Sequence, residues 1–160
     1  MSDWSKEIAQ RLKTQKSMKE TNDAVFLEKQ RLAKLHGPEL WESVKAEIKA
    51  HCDDLNSDMG EQVAIIDSTS GGGRWINVSG KTPSGIRKLA ASFNPDRLIL
   101  HWVAEANTES YEVSVGSDNK AALYLLGSKG ERLLGRPSTP QEIAQKMLSA
   151  LFTGLFTDIY

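Results

Sequence analysis

Between residues 61 and 135, alternating apolar runs are separated by very short turn-forming links: "SGGG", "GKTPSG", "NPD", "GSDNK" and "GSKGE". Links this short decide the topology. Parallel neighbours need a crossover of about a dozen residues or more, whereas antiparallel neighbours are joined by a few. The runs 62–67, 74–79, 86–93, 97–104, 111–116 and 121–127, with a short one near 132–134, therefore predict an antiparallel β-meander of five to seven strands. "LAASFNPDRLILHW" is the clearest hairpin, because Asn94-Pro95-Asp96 supplies a tight turn between two apolar runs.

The period is helical on both sides of this block. Residues 3–35 contain no Gly or Pro, and Trp4, Ile8 and Leu12 share one helical face. The stripe then thins: Met18 is the only apolar residue between Leu12 and Ala24, before "AVFLEKQRLAKL" restores it. "HGPEL" at 36–40 reads as a boundary, with Gly37 as the C-cap of one helix and Pro38 opening the next. Trp41, Val44, Ile48, Cys52 and Leu55 form the stripe of that second helix. The expectation is an N-terminal antiparallel helical hairpin over 1–58, with residues 1–20 loosely attached or docked outside this chain. After the sheet at 61–135, Thr139, Pro140 and Glu142 form a capping box opening a C-terminal helix over 139–153. Ile143, Met147 and Leu151 carry its apolar stripe, and Gly154 ends it. The fold class expected is α+β, a single domain over 1–160 with the C-terminal helix packed on the sheet.

A chain of 160 residues buries enough surface to need neither metal nor disulfide. The formal net charge of −1 gives no global field toward nucleic acid or anionic lipid. Arg11, Lys13, Lys16 and Lys19 lie on the first helix without interleaved aromatics, which is a solvated face rather than a nucleic-acid footprint. Cys52 is the only cysteine, so disulfides within the chain and cysteine-based zinc sites are excluded. The N-terminus lacks an apolar signal core, and no apolar run is long enough to span a membrane. A cytoplasmic protein without membrane insertion or nucleic-acid partner is expected.

The motifs that suggest chemistry fail on spacing. Gly80-Lys81-Thr82 ends like a phosphate-binding loop, but the pattern needs glycine at Trp75 and a helix where Pro83-Ser84-Gly85 stands. Turns explain it better. Asp54, Asn56 and Asp58 alternate like calcium ligands, yet the loop's glycine and glutamate positions fall on Met59 and Ile65. His36, His51 and His101 are scattered, and His101 and Glu105, on one sheet face, are roughly 13 Å apart along a strand. Cys52 sits on an apolar stripe. No cofactor and no metal site are expected.

The remaining oddity is apolar surplus. Leu98, Leu100 and Trp102 share one strand face while Ile99 and Val103 line the other, which predicts cover on both faces of the sheet. Phe152, Leu155, Phe156, Ile159 and Tyr160 in the closing "LFTGLFTDIY" exceed what one helix face buries. The primary expectation is a non-enzymatic protein-interaction module, a homodimer formed through that C-terminal surface, with the first helix contributing. The alternative is a binder of small apolar ligands or lipid head groups, using a sheet–helix cleft lined by His101, Trp102, Tyr124 and Phe152.

Overall fold

The computed structural model describes residues 3–70, 73–133 and 135–154. Helix α1 runs unbroken over Asp3–Met59, 57 residues, so it is roughly 86 Å long at about 1.5 Å per residue. The expected hairpin is therefore absent, and Gly37 and Pro38 lie inside α1. Pro38 lacks the N–H that would bond the Lys34 carbonyl, a defect that ordinarily costs about 3 kcal/mol. Packing on either side outweighs that cost. Ala33 and Trp41, one turn before and after Gly37, are both buried and fix the helix on one line. Gly37 itself lies close against the sheet: a Cβ there would meet Leu98 Cδ2 at 3.1 Å and Phe93 Cζ at 3.3 Å. The glycine serves helix–sheet contact rather than a C-cap.

The sheet is the expected meander, with six strands in the order β1-β2-β3-β4-β5-β6, every neighbouring pair antiparallel. They are β1 Ala64–Ser70, β2 Trp75–Thr82, β3 Gly85–Asn94, β4 Ile99–Ala104, β5 Asn107–Val115 and β6 Ala121–Leu126. Of the short run expected near 132–134, Arg132 bridges to Leu126 and Leu133 N bonds Leu125 O, while residue 134 lies outside the described residues. Asn94 closes the β3–β4 turn as foreseen, its Oδ1 accepting from the backbone of Asp96 and Arg97, both at 3.0 Å.

Helix α2, Pro140–Thr153, starts on the expected cap: Thr139 Oγ1 accepts from Glu142 N at 3.1 Å, and Gly154 ends it at φ 71°. It lies against β2, β3 and β4, while α1 packs on α2 and on β1, β5 and β6. Both helices thus cover the same sheet face. Trp41, Val44, Ile48 and Cys52 of α1 meet Val78, Leu89, Leu100, Trp102 and Tyr111 of the sheet and Ile143, Met147 and Leu151 of α2 in one core. The expectation that helices cover both faces is corrected: His101 and Val103 on the far side are exposed. Their cross-strand neighbours there are Ser92, Ala90, Ser110 and Thr108, three of the four polar, so this face meets water without a second layer. Among the described residues no helix is long and apolar enough to cross a membrane.

Candidate functional site: the projecting arm of α1

The residues expected to line a ligand cleft do not converge. Trp102 points to the helices and is fully buried. His101, next along β4, points to the open face, its Nδ1 2.8 Å from Ser110 Oγ and its Nε2 3.4 Å from Thr108 Oγ1. Tyr124 is on that same open face, covered by the Arg132 guanidinium 4.3 Å from its ring centre. Phe152 lies on the opposite side and is half-buried over Gly80, where a Cβ would come within 3.0 Å of its ring. Of the expected interface, Leu155, Phe156, Ile159 and Tyr160 lie outside the described residues; Phe152 is engaged within the chain.

The other sequence candidates have structural duties. Lys81-Thr82 ends β2, and Thr82 Oγ1 donates to Gly85 O across the tight turn into β3. Gly73 O accepts from Trp41 Nε1 and Lys45 Nζ, tying the β1–β2 link to α1. Asn56 does the same for the α1–β1 link: its Oδ1 accepts from Val63 N and Ala64 N, both at 2.8 Å, and its amide donates to Ala64 O. His36, expected at a helix end, is mid-helix and pairs with Glu39 at 2.9 Å. His51 Nδ1 is 3.9 Å from Glu47, its near neighbour on α1. Burial, and then the neighbouring Asp53 charge, push the Cys52 thiol up to about 11, which keeps it protonated. No group of three or more potential metal ligands occurs among the described residues.

One charged cluster escaped the sequence reading. Lys146 Nζ sits 3.0 Å from Glu109 Oε2, and Tyr111 OH donates to Glu109 Oε1 at 2.7 Å. Lys146 and Glu109 side chains are 3% and 9% exposed, so the cluster is sealed between α2 and β5. The signal was present: Lys146 lies three residues after Ile143 and five before Leu151, on the apolar stripe itself. Sealed from solvent, it is a packing device and offers no substrate an approach.

What stands exposed is the first half of α1. From residue 3 to residue 31 nothing is buried, and all but Ser5, Ile8 and Lys29 are exposed. This arm extends roughly 43 Å, at about 1.5 Å per residue. Within it, the Thr14 and Thr21 hydroxyls donate one turn back, and Arg31 grips Glu28 at 2.7 Å. Trp4, Leu12, Met18, Phe26 and Leu27 are each about 60% exposed or more. At its root the arm forms an open groove of about 470 Å³ against the β3–β4 turn and β5, lined by Phe26, Lys29, Ala33, Leu98, Val113 and Val115. Comparison with known protein families, with characterised proteins and with solved structures finds no match to this chain.

Proposed function

We propose that the protein is a non-enzymatic interaction module, in which the α+β head is a scaffold and the α1 arm is the binding element. One observation carries this reading: Trp4, Leu12, Met18, Phe26 and Leu27 are each about 60% exposed or more, on a helical arm in which no described residue before Ala33 is buried. A single helix in water is marginally stable, and most helical stability in proteins comes from packing an apolar face. Each large apolar side chain left in water forgoes about 1.5–3 kcal/mol of burial. A partner that covers the arm recovers both terms. Placing the interaction on the arm moves it from the C-terminal segment, where Phe152 already packs on Gly80. The test is photo-crosslinking in cells from a benzophenone side chain at Leu12 or Leu27 of the full chain, with the same group at Val103 as the control. Discrete protein adducts from the arm positions, absent from Val103, support the reading. Adducts from Val103 alone, or from none of the three, overturn it.

A further inference from the structure

The arm's charges are not scattered. From Ile8 to Lys19 the charged residues are all basic: Arg11, Lys13, Lys16 and Lys19. From residue 20 to residue 28 they are all acidic: Glu20, Asp23 and Glu28. Trp4 and Ile8 precede the basic block, Leu12 and Met18 lie within it, and Val25, Phe26 and Leu27 lie at the end of the acidic one. Read from one end the arm is apolar, basic, acidic, apolar. Reversed, it is its own complement.

Resting on the reading above, we infer that the partner of the arm is a second copy of this chain, bound antiparallel about a two-fold axis between Lys19 and Glu20. A two-fold contact uses the same patch on both copies, so every pair occurs twice. With the axis there, Lys19 comes level with Glu20 of the second copy, Lys16 with Asp23, Arg11 with Glu28, and Leu12 with Leu27. Trp4 comes level with Leu35, within a turn of Ala33 and Lys34, and so reaches the open groove at the root of the other arm. Each copy thus offers an exposed indole at one end of the arm and a partly apolar groove at the other. A parallel pair in register sets Lys13, Lys16 and Lys19 against themselves and the acidic block against itself, which charge repulsion disfavours. The α+β heads then lie at opposite ends of a shared rod.

Sedimentation equilibrium of the full chain, together with spin-label distances, tests this. The chain is expected to be a dimer at protein concentrations on the order of 100 μM. A nitroxide at position 6, introduced as Lys6→Cys, should report a separation of about 40 Å in the antiparallel pair, against roughly 10–15 Å in a parallel one. Lys16→Glu/Lys19→Glu should weaken the dimer on the order of 100-fold, since two reversals each act twice. Mixing that variant with Glu20→Lys/Asp23→Lys should restore a one-to-one complex. These positions are exposed, so an unchanged thermal transition of the head confirms that folding is intact. A monomer at that concentration, a short label distance, or indifference to charge reversal overturns the inference. If the chain is monomeric while the arm still crosslinks to a different protein, the broader reading stands and self-pairing falls. If no arm adduct forms at all, both fall.

Discussion

Replacing Lys146 with methionine tests how the core tolerates charge. The substitution keeps length and apolar stem but removes the ammonium 3.0 Å from Glu109. The carboxylate, 9% exposed, is then left with the Tyr111 hydroxyl as its remaining described partner. Breaking one side of a buried pair costs about 3–5 kcal/mol, because an uncompensated charge stays in the interior. Against a total stability of about 5–15 kcal/mol, that is a large share. In urea, with a slope of about 2 kcal/mol per molar, the midpoint should fall by roughly 2 M. The transition is read from the fluorescence of the buried Trp41 and Trp102. Lys146→Met/Glu109→Leu/Tyr111→Phe removes ammonium, carboxylate and hydroxyl together, and it should recover to within about 1–2 kcal/mol of the parent. A loss under about 1 kcal/mol in the single variant, or a triple variant no better than the single, refutes the burial argument.

Three further outcomes follow from local geometry. Pro38→Ala restores the missing backbone donor inside α1 and should raise stability by about 1–3 kcal/mol in the same urea assay; a loss would show that the proline shapes the helix–sheet contact. Thr139→Ala removes the acceptor of the Glu142 N–H and should cost about 1 kcal/mol, with Thr139→Ser restoring most of it. Cys52 keeps its proton in the folded state up to about 11 against an ordinary 9.0. The contribution is therefore intact below pH 9 and is lost as pH climbs toward 11, by about 1.4 kcal/mol per unit. Urea midpoints at pH 8 and pH 10.5 should show that fall in the parent and not in Cys52→Ala.

Much of this fold was legible because its determinants are local. Turn composition and link length set the antiparallel meander, and the Thr139–Glu142 cap set the start of α2. What was illegible depended on contacts between distant segments. "HGPEL" carries the local chemistry of a helix break, and the contacts of Gly37 with Phe93 and Leu98 overrule it from more than fifty residues away. The apolar surplus in β4 suggested cover on both faces, but sequence parity does not say that α1 and α2 share one face. The lining guessed for a cleft failed for a related reason: His101 and Trp102 are adjacent in β4 and must point to opposite faces. Lys146 was visible as a charge on an apolar stripe, although its partner Glu109 lies on another element. The arm was half legible: the thin stripe around Met18 signalled weak attachment, and continuity with the packed half of α1 was hidden behind Gly37 and Pro38.

The most direct test of the account is amide hydrogen exchange along α1 in the full chain, followed across a wide dilution series. Self-pairing predicts that the amides of residues 4–35 are protected when the protein is concentrated and lose that protection on dilution. The amides around Val44 and Ile48, held in the core, should stay protected throughout. Exchange in the arm that is fast at every concentration, or slow at every concentration in a protein that sediments as a monomer, would contradict the claim that the arm exists to bind its own copy.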